Sequence, residues 1–597
     1  MPNEPPRTAD PAGDRSRPIR LGLLVALATA PAFLPILING WVERDDPQNF
    51  LDNVGFRGIG LAQVRWAFTT VQLGVYQPLG WLILGAEYRI WGLIPWGYHL
   101  VSLALHLANA AILVVLIAAI LGRCPGRVAG RAGHVAAAWA GLLFAIHPLR
   151  VEVVAWASSQ TYLPCAGFAM LSVLAYLGRD RASRGGRAGR LALSWCLYVA
   201  ALLCKAPALP LPLALLILDA FPLRRLSGRA SARAAVLEKL PFGLVTLVFV
   251  GLARAGKAAT SSSLTAEAGL GWGGRLARAA CSAGFYVRQT AWPAGLAAVY
   301  EWPDPAPAVE PARLVAVGAV LAASATCLAL AARRPGLAAT WFAYLAMLAP
   351  VAGLVRSGYA IVADRYSYLA TVPFAIGLAY LLASARPGRA GARALTAGLV
   401  VAALAMATIT WQLCQSWHDQ EALVERAWRA GTLSRASYLI QVADFQGRRH
   451  QPAEAEANYR EAVRLAPERA DAANALGAFL ARRRRTEEAL ACFERALALD
   501  GRHVPALNNI GLALAGRGRF GEAIPRFRAA LRIEPSYVDA RLNLAATLRD
   551  LGRPADAAEE YAQVLRIDPA EPRARAGLDS LALEANRGPG RPSSPPK

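Results

Sequence analysis

The chain has 597 residues, of which 55% are hydrophobic and only 18% charged. A soluble protein carries nearer a quarter charged residues, so much of this one belongs in an apolar solvent. The net charge of +23 does not point to nucleic acid, because the basic residues sit in short loops between apolar runs and not on one surface. Lysine occurs only at Lys205, Lys239, Lys257 and Lys597; an Arg- and Ala-heavy composition of this kind suits a GC-rich bacterial genome. The eight cysteines are scattered without a CxxC pair, which indicates neither a zinc site nor a disulfide framework.

Residues 1–20 form an Arg-bearing N-terminal tail ahead of Leu21–Asn39, an apolar run without a small-residue cleavage site. It therefore reads as an uncleaved first span. Further apolar runs lie near 97–121, 134–146, 162–177, 191–204, 207–221, 240–255, 312–331, 337–354, 366–384 and 394–414. The fold class expected is all-α: a polytopic transmembrane bundle of about eleven spans over residues 21–415. Arginines gather in alternate loops, at Arg123, Arg127 and Arg131, at Arg179 to Arg190, at Arg224 to Arg233, at Arg333 and Arg334, and at Arg386 to Arg393. The positive-inside rule places these loops and the N-terminus in the cytoplasm. The alternation requires that Arg275–Trp292 not cross, which suits an interfacial amphipathic helix. Large loops at 40–95 and 256–311 then fall on the opposite side, as does everything from residue 415 onward.

That C-terminal part is periodic. Tyr459, Phe493, Phe527 and Tyr561 recur every 34 residues, and so do Ala455, Ala489, Ala523 and Ala557. Gly477, Gly511 and Ala545 keep the same register, with Pro467, Gly501, Pro535 and Pro569 closing each unit. This is the tetratricopeptide (TPR) pattern, in which small residues let paired helices approach and each unit buries its face on a neighbour. The expected layout is a linker at 416–435, TPR repeats with a capping helix at 436–586, and a disordered tail at 587–597. Such arrays bind peptides or proteins in a concave groove.

Ionisable residues at membrane depth are costly, so each is a candidate for function. Asp45 and Asp46 follow the first span, where a carboxylate could act as a general base or simply be solvated. Tyr98-His99, with His106 and Asn109, lie on the second span. His147-Pro148 leads through Arg150 to Glu152 after the third. Lys205 stands between two apolar runs, and Asp364-Arg365-Tyr366 precedes the tenth span. Asp45, His147, Arg150, Glu152, Lys205 and Arg365 fall at the outer ends of spans, where carboxylates for proton transfer and cations for an anionic group suit a lipid phosphate. No Walker motif, HExxH or GxGxxG in a βαβ context is present.

In this order and spacing the motifs resemble the TPR-bearing membrane glycosyltransferases of the GT-C class. The chain is similar to the transmembrane and TPR repeat-containing O-mannosyltransferases, and more closely to their bacterial relatives. The resemblance rests on Asp45-Asp46, Tyr76-Gln77-Pro78, Tyr98-His99 with His106, His147-Pro148 through Glu152 to Trp156, and Leu203-Cys204-Lys205-Ala206 running to Asp219 and Pro222-Leu223-Arg224. It continues with Trp292-Pro293 leading to Tyr300, and with Ala363 to Leu369. It implies inverting transfer of a sugar from a polyprenyl-phosphate donor to a protein Ser or Thr on the non-cytoplasmic side. Asp45 or Asp46 would be the base, Arg365 and Lys205 would hold the donor phosphate, and the TPR array would bind the acceptor. The expected place is a bacterial inner membrane, with the repeats periplasmic. No cofactor is specified, and room is left for a divalent metal. Gln160-Thr161-Tyr162 stands where the bacterial relatives usually have Arg-Lys-Asp, and Pro47-Gln48-Asn49 follows the acidic pair in place of an aromatic or apolar residue. From the residues alone, a non-catalytic envelope scaffold and an oligosaccharide ligase or polymerase remain open.

Overall fold

A computed structural model describes residues 16–124, 128, 130–179, 183–260, 271–301, 311–354, 361–385, 387–567 and 571–586. The N-terminal tail before residue 16, stretches of the 256–311 loop and the tail 587–597 lie outside the described residues. Among those described, every regular element is helical. The chain forms two units: one comprises residues through Ala253 and Gly271–Thr432, and the other Arg254–Leu270 and Leu433 onward.

The first unit is built on helices α1 (Arg17–Phe33), α2 (Pro78–Trp91), α3 (Pro95–Leu121), α4 (Arg131–Ala145), α5 (Tyr162–Gly178) and α6 (Arg184–Cys204). It continues with α7 (Leu211–Ala220), α8 (Leu240–Thr260), α9 (Trp272–Ala291), α10 (Pro311–Ala329), α11 (Pro335–Leu348), α12 (Val372–Ser384), α13 (Arg389–Gln415) and α14 (Gln420–Arg429). Among the described residues six apolar helical segments are long enough to cross a bilayer, or eight if each of two bent pairs is one crossing. The bends are 60° between Arg131–Ala145 and Pro148–Ala155, and 52° between Asp364–Ala370 and Val372–Ser384. Pro148 at the first bend lacks an N–H and cannot continue the preceding helix. Three shorter apolar segments, Ala206–Ala220, Leu314–Ala329 and Pro335–Val351, coincide with the remaining expected spans. They are shorter than the other spans, so among the described residues six to eight segments reach the length of a crossing, and these three complete the eleven apolar runs of the sequence.

The helices at the centre of this unit touch where side chains are small. A Cβ on Gly22 would sit 2.8 Å from the Ala111 carbonyl oxygen, and one on Gly141 only 2.5 Å from Val114. That is how helices gain contact when water does not drive them together. Leu23, Leu24, Leu27, Leu244, Leu247, Val401 and Leu404 instead point outward and are exposed, a surface suited to hydrocarbon and not to water. Interior polar groups tie off the bends. Asn109 donates to the Leu163 carbonyl at 2.8 Å and to the Tyr368 hydroxyl at 3.2 Å. His106 sits 2.8 Å from that hydroxyl and 3.0 Å from the Ala145 carbonyl. Backbone groups freed by a broken helix thus find partners inside the protein.

Two expectations change here. The 40–95 stretch is a folded layer, in which Phe50, Phe56, Trp81, Leu84, Tyr98 and Ala157 form a buried cluster. Residues 416–432, expected as linker, belong to the first unit. Trp417 stacks on Trp156 at 5.9 Å, Leu423 is buried, Gly40 N–H donates to the His418 carbonyl at 3.0 Å, and Arg426 donates to the Leu296 carbonyl. The segment reads as polar by composition, but α14 buries Leu423, Val424 and Ala427 on one face. Of the segment Arg275–Trp292, all but Trp292 falls within one helix, α9, with Arg278, Ala283, Tyr286 and Gln289 buried and Trp272 and Leu276 exposed.

The second unit is a solenoid of helix pairs: α15 (Arg435–Arg448), α16 (Pro452–Leu465), α17 (Ala470–Arg482), α18 (Thr486–Leu499), α19 (Val504–Ala515), α20 (Phe520–Ile533), α21 (Val538–Asp550) and α22 (Pro554–Ile567), followed by α23 (Pro572–Asn586). The repeat residues do what the period requires. Ala455, Ala489, Ala523 and Ala557 are fully buried, and a Cβ on Gly477 or Gly511 would lie 2.6 Å from the ring of Phe493 or Phe527. The aromatic of each second helix fills the space the glycine leaves.

Candidate active site

The first helix continues through a short 3-10 turn, Leu34–Ile38, to Asn39, whose side chain donates to the Cys414 carbonyl at 3.1 Å, and the chain turns through Trp41-Val42-Glu43-Arg44-Asp45-Asp46. The turn is held by Asp46. One carboxylate oxygen accepts from Val42 N–H at 2.9 Å; the other accepts from Ser158 N–H at 3.2 Å and the Ser158 hydroxyl at 2.5 Å. Asp46 is 1% exposed. Burial pushes its pKa up to about 6, against the pull of these hydrogen bonds. Asp45 is the opposite case: its carboxylate is half-buried and has no hydrogen-bond partner among the described residues.

Two cations act on that carboxylate, and a third, Arg365, acts on both of them. Lys205 and Arg44 each lie close enough to Asp45 to feel its charge, and both feel Arg365. Arg44 and Arg365 place their guanidinium groups 5.4 and 5.3 Å from the centre of the Trp156 ring. Arg44 also donates to the Ala298 carbonyl at 2.7 Å, and burial together with Arg365 lowers its pKa from the usual value. Lys205 donates to Gln77 Oε1 at 2.7 Å and faces the Tyr162 ring at 5.3 Å. Arg365 is clamped by Glu152, which accepts from its backbone N–H at 2.8 Å and from its guanidinium. A guanidinium has five N–H donors, so this pair leaves several for another acceptor.

The turn 157–161 organises the region. Ser158 holds Asp46, Gln160 donates to Glu87 at 2.7 Å, and the Thr161 hydroxyl donates to the same Gln77 oxygen that Lys205 uses, at 3.2 Å. Glu87 is 4% exposed and burial pushes its pKa to about 8, so it carries a proton at neutral pH. Sequence reasoning missed Glu87 and Arg44, and singled out Gln77 only as part of the Tyr76-Gln77-Pro78 motif. Arg44 adjoins the acidic pair and was within reach; Glu87 sits inside an apolar helix and shows itself only through Gln160.

The remaining candidates divide. Asp364 joins the site region, accepting from Tyr300 at 2.7 Å, and Tyr366 lies under Arg365 at 4.9 Å. Tyr98 donates to the Gly92 carbonyl at 2.8 Å within the aromatic cluster, and His99 is buried. His147 caps the turn after the break: its Nδ1 accepts from Leu149 N–H at 3.2 Å, and Nε2 faces the Thr290 carbonyl at 3.1 Å. Arg150 is buried, donating to Thr371 at 3.0 Å and lying 4.5 Å from the Phe144 ring centre. Among the described residues no three His, Cys, Asp or Glu side chains gather as a metal-ligand set.

The fold and this cluster define an α-helical integral membrane protein with a buried polar centre and a C-terminal TPR solenoid. The tetratricopeptide repeat family matches at residues 468–536 and again at 514–585. Among curated proteins the chain is similar to the protein O-mannosyl-transferase Tmtc1 of Drosophila melanogaster, with 37% identity over 136 residues, 23% of this chain and 14% of that protein. It is also similar to the protein O-mannosyl-transferase TMTC4 of Homo sapiens, with 33% identity over 138 residues, 22% of this chain and 19% of that one. The matches thus span less than a fifth of either relative, a length no greater than the repeat array itself. A solved structure of PilF from Pseudomonas aeruginosa is 25% identical with a TM-score of 0.24, over 26% of this chain and 70% of that one, a score from which nothing about function follows.

Proposed function

We propose that this protein is a membrane glycosyltransferase that moves a sugar from a polyprenyl-phosphate donor to a Ser or Thr hydroxyl of a protein, on the non-cytoplasmic side of the membrane. The observation that carries the proposal is Asp45, a half-buried carboxylate whose side chain has no hydrogen bond among the described residues, set near Arg44 and Lys205, both of which lie near Arg365. The relatives named as protein O-mannosyl-transferases support it.

In the reaction Asp45 takes the proton of the acceptor hydroxyl as that oxygen attacks the anomeric carbon. The bond from that carbon to the phosphate oxygen breaks, and its electron pair stays on the phosphate. Attack opposite the leaving group inverts the anomeric centre. Arg365, Lys205 and Arg44 meet the charge that grows on the departing phosphate, which is stabilisation aimed at the transition state. Asp46 is a positioning residue: it fixes the turn that presents Asp45. The TPR array binds the acceptor polypeptide and raises its concentration near the site, as a tethered second binding module does.

The test uses membranes containing the full chain and a radiolabelled polyprenyl-phosphate sugar. Protein should become labelled, and Asp45→Asn with Asp46→Asn together should abolish the label. Full labelling by that double variant sinks the carboxylate-base mechanism. Cysteine accessibility must also find residue 45 and residue 500 on the same face of the membrane; opposite faces would leave an anchored adaptor as the better account.

A further inference from the structure

Trp156 stands where two cations of the site converge. It follows the short helix Val151–Ala155 in extended backbone, just past the first bend, and is 3% exposed. Trp417 stacks against it, with ring centres 5.9 Å apart and planes 27° from parallel, so one face of the indole is covered. The guanidinium carbons of Arg44 and Arg365 lie 5.4 and 5.3 Å from the centre of the same ring. Arg44 feels the charge of Arg365, and like charges held close repel each other. Each has one other tie, Arg44 to the Ala298 carbonyl at 2.7 Å and Arg365 to Glu152. The indole adds a third partner common to both, because an aromatic face is negative and attracts a cation, most strongly in Trp. Among the described residues the Trp156 N–H is buried without a hydrogen-bond partner. Burying a donor unmade is costly, so what this residue contributes is its ring.

We propose that Trp156 is a positioning residue, a platform that holds Arg44 and Arg365 side by side as one clamp for the phosphate of the donor lipid. Trp417 pins the platform from the opposite face. This role rests on the function proposed above and adds what keeps two repelling cations in place before the donor arrives. A guanidinium presents its N–H donors in a plane and meets phosphate oxygens two at a time. Two of them already fixed on one ring need no ordering when the anion binds, and such pre-organisation appears as affinity.

The purified full chain in phosphatidylcholine nanodiscs, titrated with a polyprenyl phosphate and in parallel with the uncharged polyprenol, tests this without requiring transfer. The wild-type chain should bind the phosphate more tightly than the alcohol. Trp156→Leu should lower affinity for the phosphate roughly tenfold, the effect of losing two cation–π contacts, and leave affinity for the polyprenol unchanged. Trp156→Phe keeps a smaller ring and should lose about threefold, and Trp417→Leu should fall between wild type and Trp156→Leu. Unchanged phosphate affinity in Trp156→Leu, equal loss of both ligands, or a Trp156→Phe variant as weak as Trp156→Leu overturns the proposal. So does a wild-type chain that binds the two ligands alike. Selective phosphate binding that weakens in this order, in a wild-type chain that transfers no sugar, would refute the enzyme reading and leave the clamp standing.

Discussion

Replacing Asp45 by asparagine separates the two acidic residues that sequence cannot rank. The Asp45 side chain makes no hydrogen bond among the described residues, so its loss as an acceptor leaves no buried donor stranded, and unfolding stability should change by no more than about 0.5 kcal/mol. Its loss as a base should lower kcat by about 10² to 10⁴, the contribution of a positioned general base, or roughly 3 to 5 kcal/mol of barrier. The KM for the donor should move little, since the phosphate-facing cations remain. The assay is initial-rate transfer from a labelled polyprenyl-phosphate sugar to a purified acceptor, with thermal unfolding of the same preparation in detergent. A variant with unchanged kcat, or one whose kcat falls only in step with lost folded protein, refutes the assignment of Asp45 as base.

Asp46 should report through pH. Its folded pKa of about 6 lies above the ordinary value of 3.8, so the folded state binds that proton more tightly than the unfolded chain. Stability should therefore rise as pH falls from about 6 towards 4, by up to about 3 kcal/mol at 1.36 kcal/mol per unit, and Asp46→Asn should remove this component; an unaltered pH profile of unfolding would count against it. Glu152→Gln breaks the buried pair with Arg365 and should destabilise by about 3 to 5 kcal/mol while raising the donor KM, and a wild-type melting curve would show that Arg365 is held otherwise. In the array, Gly511→Val forces side-chain carbon into the Phe527 ring and should cost about 1 to 3 kcal/mol, read as earlier proteolysis of the repeats; resistance equal to wild type would contradict the packing. Deleting Leu433 onward should leave transfer to a short peptide at high concentration while lowering transfer to folded protein acceptors by about 10² or more, and equal loss on both would argue against acceptor recruitment.

Periodicity carried most of the architecture. A 34-residue recurrence of Ala, Gly and aromatic residues defines the solenoid because each repeat must reproduce the same close helix contact, and a spanning helix announces itself by composition over its whole length. Crossing number was less legible: Ala206–Ala220 and Pro335–Val351 are apolar but short, and the segments on either side of His147 and of Thr371 read as ordinary spans or their flanks although each is bent. The helix at 420–429 was hidden because its buried face is only three residues wide.

What the sequence determined by itself was chemistry in a list: which acids, cations and aromatics stand at the ends of apolar runs. Tertiary structure decided which of them meet. Arg44 and Arg365 are more than three hundred residues apart and converge on Trp156, whereas the neighbours Asp45 and Asp46 part company, one held by three hydrogen bonds and the other left without any. Spacing along the chain fixes which residue types are available, but burial and long-range partners set whether a carboxylate anchors a turn or faces a substrate, and those arise only when distant segments pack.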